Sequence, residues 1–184
     1  GTTQQIQTVN RTLSTSVQTF GPVRGYEAIC PQFCAPAPDP ATAAINITNG
    51  YHDEEAVAAL LTQFETNFPT LAKKIQIGAT TWGRPIWALK ISDHAATEEP
   101  EPRVVIDANI HAREFAPPEV ALDLIWQLLY GYTNNATFAS WVDGMEIYVI
   151  PCLNPDGRFL CDYTGDPWRK NGRNNDSSTN MNYP

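Results

Sequence analysis

The order of polar and apolar positions changes character once along the chain, near Tyr51. Residues 1–49 are polar and then rich in proline, from Cys30-Pro31 through Pro36, Pro38 and Pro40. Prolines at that density block helix and central strand. The pattern therefore predicts an extended arm over residues 1–50, a pro-segment remnant, a linker or a strap, followed by a domain over residues 51–184. In that domain Val57, Leu60, Leu61 and Phe64 recur at helical spacing. They predict a helix capped by Asp53 and ended by Pro69. Ile75–Gly78 and Ile86–Ile91 read as strands joined by the turn Thr81–Pro85, and Asp93–Pro102 as a surface loop. Arg103–Ala108 is almost continuously apolar, the signature of a strand buried on both faces, and is expected at the centre of the sheet. A helix over Glu119–Tyr130, a strand over Met145–Ile150, a turn at Asn154-Pro155-Asp156-Gly157 and a polar loop over Asn171–Pro184 complete the chain. The alternation of helices and strands defines an α/β fold with a mixed sheet.

Composition narrows the partners. The 184 residues carry a formal net charge of -8, which argues against nucleic acid, because phosphate binding needs a basic face. No stretch approaches the roughly 20 apolar residues of a membrane span. Gly1-Thr2-Thr3-Gln4-Gln5 has neither the basic start nor the apolar run of a signal peptide, so a secreted protein would be represented here by a processed form.

Cysteines and sequons favour export. Cys30 lies close to Cys34 and Cys152 close to Cys161, so two local disulfides are expected, although four cysteines allow three pairings. Their spacings do not match a structural zinc site. Asn10, Asn46, Asn135 and Asn175 each begin a glycosylation sequon, and glycans are expected on some of them. Together these features predict a secreted or extracellular protein.

The chemistry gathers where strands end, as ligands do in open α/β sheets. His111 and Glu114 follow the Arg103–Ala108 strand. Three residues apart, an imidazole and a carboxylate can meet at one metal ion. Alone, that spacing also describes a surface ion pair. Its surroundings say more. Asn109-Ile110-His111-Ala112-Arg113-Glu114 with Pro117-Pro118-Glu119, then Ile77-Gly78 with Gly83-Arg84-Pro85-Ile86, Asn154-Pro155-Asp156-Gly157 and Trp168-Arg169-Lys170-Asn171 together resemble the zinc metallocarboxypeptidases related to carboxypeptidase A. The likeness runs from Tyr51 to Pro184 and covers the N-terminal half of that family's catalytic domain; residues 1–49 carry none of it.

The resemblance implies Zn2+ as cofactor, His111 and Glu114 as two of its ligands, and Arg169 as the arginine that polarises the scissile carbonyl. It implies Arg113 and Asn180 as substrate-binding residues, with an ion pair as the competing reading of Arg113. Peptide or protein C-termini would be the substrates. The third ligand, a histidine, and the general-base glutamate of the family have no counterpart here: His52 and His94 lie outside any matching motif. The expected function is zinc-dependent hydrolysis of C-terminal residues, requiring a C-terminal half, or another chain, that also covers the open sheet edge. By itself the 184-residue chain is expected to be inactive. Two positions depart from the family pattern. Met181 stands where an arginine neutralises the substrate carboxylate, and Ser178 where an aspartate orients a zinc-bound imidazole. These favour the alternative of a non-catalytic, carboxypeptidase-like extracellular binding or structural glycoprotein.

Overall fold

The computed structural model describes residues 45–173. The Pro-rich arm before Ile45, the Cys30/Cys34 pair, the sequons at Asn10 and Asn175, and Ser178, Asn180 and Met181 lie outside the described residues.

Helix α1 spans Glu54–Asn67, and Asp53 caps it by accepting from the Ala56 amide. The predicted apolar face, Val57, Leu60, Leu61 and Phe64, is buried. Strands β1 (Ala72–Ala79) and β2 (Pro85–Ile91) form an antiparallel pair. β3 (Arg103–Asp107) leads into α2 (Ala116–Gly131), with a proline in its first turn. α3 (Ala136–Val142) precedes β4 (Glu146–Ile150), and α4 spans Pro155–Thr164. The strand order β1-β2-β4-β3 makes a mixed sheet: β2 and β4 are antiparallel, β3 and β4 parallel.

The core is one cluster. Leu61 and Phe64 of α1, Leu122, Ile125 and Trp126 of α2, and Leu89, Ile91, Ile147 and Val149 of the sheet are all shielded from water. The alternate side of β2 holds a charge. Lys90 Nζ lies 2.6 Å from Glu146 Oε1 of β4, with both side chains buried, and it also donates to the Thr97 carbonyl. Glu146 accepts further bonds from the Glu99 amide and from Arg103 Nε. The loop between β2 and β3 is thereby tied to the sheet.

Two expectations fail. The Arg103–Ala108 segment is not central: among the described residues β4 alone pairs with β3, which is an edge strand with Val105 63% exposed. An apolar run reports what a strand's faces are suited to bury, and says nothing of how many neighbours its edges have. Cys152 and Cys161 are not bonded to each other; both are free and buried. The Cys152 thiol approaches Asn109 Oδ1, and the Cys161 thiol donates to the Trp168 carbonyl. Nearness in sequence had suggested a bridge, but a strand end and a helix turn aim the two sulfurs at different partners.

Candidate metal centre

β3 ends at Asp107, and Ala108 continues the ladder by donating to the Ile150 carbonyl. Asn109 then turns the chain with φ of 57°, a left-handed conformation that asparagine tolerates better than most residues. Its buried amide donates to the carbonyls of His111 (3.2 Å), Ala112 (3.3 Å) and Glu114 (2.8 Å). One side chain thus holds the whole His111–Glu114 turn.

The turn is clamped from its other side. The Ala112 amide donates to the Arg169 carbonyl at 3.2 Å, and Asn154 Nδ2 donates to the carbonyls of Ile110 and Lys170. Asn154 Oδ1 also caps α4 through the Gly157 amide. Gly157 has no room for a side chain: an added Cβ would sit 2.4 Å from the Lys170 carbonyl and 2.7 Å from Ala112 Cβ. Asp156 is buried, accepts from Thr80 Oγ1 at 2.7 Å, and lies 3.5 Å from Arg84 Nη1. The predicted turn at Asn154–Gly157 is in fact the start of a helix. It joins the β1–β2 turn, the His111 loop and the Trp168–Lys170 segment.

At the surface these supports bring three predicted residues together. His111 Nδ1 lies 3.1 Å from Glu114 Oε1 and 3.4 Å from Arg169 Nη2. The His111 and Glu114 side chains are 34% and 47% exposed, so solvent and a ligand can reach them. The donor set suits zinc. Two atoms held about 2.0–2.2 Å from one tetrahedral ion stand about 3.3–3.5 Å apart, close to the spacing observed. Arg113 is exposed and makes no ion pair with the described residues; its charge is felt at Cys161. The ion-pair reading of Arg113 has no support among the described residues.

His52 is not part of this centre. It is buried, with Nδ1 2.7 Å from Glu119 Oε2 and Nε2 2.9 Å from Asn49 Oδ1, and it ties the entry of α1 to the first turn of α2. His94 is exposed, on the loop after β2 with Asp93 and Glu99. Among the described residues no third His, Cys, Asp or Glu donor joins His111 and Glu114. Sequence reasoning missed Asn109 as a positioning residue. Its only signal was an asparagine directly after a strand, where a left-handed turn is needed.

A family model for zinc carboxypeptidases matches residues 57–183, and the chain belongs to that family. A zinc carboxypeptidase of Saccharothrix mutabilis subsp. capreolus is 39% identical over 131 residues, 70% of this chain and 30% of the relative. An inactive metallocarboxypeptidase of Saccharomyces cerevisiae is 34% identical over 125 residues, 67% of this chain and 29% of the relative. Carboxypeptidase A from Helicoverpa armigera shares the fold, with a TM-score of 0.65 at 23% identity over 86% of this chain and 38% of that one. The chain spans about a third of the length of the curated relatives it matches.

Proposed function

We propose that this chain supplies part of the active site of a zinc-dependent exopeptidase that removes single residues from the C-termini of peptides and proteins. The convergence of His111, Glu114 and Arg169 within hydrogen-bonding range carries the reading. His111 and Glu114 would hold the ion, and Asn109 would fix their turn. Bound zinc would polarise a carbonyl and acidify a water. Arg169 presents a guanidinium where negative charge develops on the carbonyl oxygen. Arg113 and Asn180 would bind the peptide, Asn180 at its terminal carboxylate. The third ligand and the general base belong, on this reading, to the part of the relatives' length that this chain does not span. So do strands that would pair with the free edge of β3.

We assign the protein to the extracellular space. Asn46 is exposed, and its Oδ1 already meets the Thr48 hydroxyl of its own sequon, so it is the better glycan acceptor. Asn135 is buried and caps α3. No described helix is long and apolar enough to cross a membrane.

The test joins this chain to a C-terminal half supplying the histidine and glutamate. Hydrolysis of a peptide with a free C-terminus should stop on chelation and return with Zn2+. Arg169→Ala should lower kcat about 10²–10³-fold. The 184-residue polypeptide alone should show no enzymatic turnover. Metal-independent hydrolysis would defeat the reading.

A second reading, a non-catalytic extracellular binding glycoprotein, is favoured by Met181 and Ser178 and by the inactive relative. It predicts a joined form that binds zinc through His111 and Glu114 yet leaves peptides uncut.

A further inference from the structure

Helical spacing sets which residues of α4 meet the His111–Glu114 turn. Asn154, Gly157 and Arg158 stand at i, i+3 and i+4, on one side of the helix. Each meets a different part of the turn. Asn154 Nδ2 donates to the Ile110 carbonyl at 3.2 Å, just before His111. Gly157 packs on Ala112, between the two candidate ligands, so closely that an added Cβ would stand 2.7 Å from Ala112 Cβ. The Arg158 guanidinium lies over the ring of Phe115, 4.5 Å from its centre, and Phe115 directly follows Glu114. The first two contacts hold the entry and the middle of the turn, and Arg158 meets its exit.

Stability does not account for an arginine there. The Arg158 side chain is 2% exposed. Its Nε donates to Asp162 Oδ2 at 2.8 Å, yet its Nη1 is shielded from water and has no acceptor among the described residues. A buried donor without a partner is unfavourable, and an apolar side chain of similar volume removes that penalty. What an apolar side chain cannot reproduce is a cation, anchored by Asp162, against an aromatic face. Little else fixes the Phe115 ring. Phe115 is the N-cap residue of α2 but makes no side-chain capping bond. The neighbouring ring of Tyr51 is 6.1 Å away, centre to centre, on a residue 69% exposed.

We propose that Arg158 is a positioning residue: acting through Phe115, it holds the exit of the turn and so keeps Glu114 in register with His111. Its bearing on zinc rests on the reading of those two side chains as ligands. The order of the turn itself can be measured without metal.

Arg158→Met keeps an unbranched apolar side chain and removes the cation, and Asp162, 30% exposed, stays in contact with water. In calorimetric titration of the full chain with Zn2+, the variant should bind about tenfold more weakly, as when a residue that orients metal ligands is lost, with a melting midpoint unchanged or raised. Without metal, the Ala112 and Glu114 amides bond to the Arg169 and His111 carbonyls. In the variant they should exchange with deuterium about tenfold faster than in the wild type, while amides of β2 and β4 keep their rates. Phe115→Leu, at a half-buried position, should reproduce both effects, and the double variant should lose no more than either single one. Wild-type affinity and exchange in either single variant, losses that only follow a lowered melting midpoint, or additive losses in the double variant would overturn the proposal. If Arg158→Met does not fold, Phe115→Leu alone decides by the same measurements. His111→Ala reads the metal assignment separately. Zinc binding undiminished by it would defeat that assignment, whereas faster exchange of the turn in the Arg158 and Phe115 variants would still support the positioning role.

Discussion

Asn109 shows how much one residue can organise. Its positive φ turns the chain out of β3, and its amide satisfies three carbonyls of the turn that presents His111 and Glu114. Asn109→Ala forfeits those bonds and places a less tolerant residue in the left-handed region. About 2–3 kcal/mol of stability should be lost by denaturant unfolding, together with zinc affinity by calorimetry. Asn109→Gly restores only the backbone freedom, and should recover about 1 kcal/mol of that loss. Gly157 is the complementary case. Gly157→Ala must push the Lys170 carbonyl or Ala112 aside, separating Arg169 from His111. A lower melting midpoint and weaker zinc binding are expected. His111 and Glu114 were legible as a candidate metal pair from residue type and spacing, with a surface ion pair as the competing reading, and Arg169 only through the resemblance to the zinc metallocarboxypeptidases; the structure brings the three side chains together. Asn109 and Gly157 were read only as parts of motifs, because their roles rest on a dihedral angle and a close approach that spacing does not encode.

At the scale of elements, periodicity found α1 and its buried face, both hairpin strands and the apolar body of α2. It missed α3, seven residues capped by Asn135, because so short a helix offers no repeat to read. It also took the first turn of α4 for an isolated turn, since the same Asn-Pro-Asp-Gly residues suit a loop and a helix start. The buried Lys90–Glu146 pair lay beyond reach as well: a lysine in β2 and a glutamate in β4 look like ordinary surface charges until the strands are paired. The Glu146 carboxyl is held down to about 2 from its usual 4.5, above all by the bond from Lys90, with burial opposing the shift. A carboxyl depressed in the folded state adds stability that is fully present above the unfolded value near 4.5. That stability is lost as pH falls through about 2. Denaturant unfolding between pH 5 and pH 2 should therefore show a loss that Glu146→Gln lacks. At pH 7 the same substitution leaves Lys90 buried without its counter-charge and should cost about 3–5 kcal/mol.

At the scale of the molecule, the mixed α/β architecture was legible from element order, whereas the place of β3 in the sheet was not. Its free edge carries Val104 and Val105, 37% and 63% exposed, and an unpaired edge with apolar residues invites association. For the 184-residue polypeptide alone, Val105→Lys should raise the concentration at which light scattering detects aggregates. In a longer form in which further strands cover β3, the same lysine would be buried, and unfolding should instead become easier. Opposite signs in the two forms would identify the covering element as part of the same protein.

The unbridged sulfurs make the domain its own reporter of motion. Burial pushes the Cys152 thiol up to about 12 and raises that of Cys161, so neither is a ready nucleophile while the fold is closed. An alkylating reagent must wait for an opening event. Cys161, whose sulfur rests on the Trp168 carbonyl just before Arg169, would time the release of that segment. Cys152, at the end of β4 beside Asn109, would time the loosening of the core. If the surface around His111 and Arg169 breathes independently of the sheet, the two modification rates will separate; if the clamps through Asn154 hold them together, both will follow a single clock.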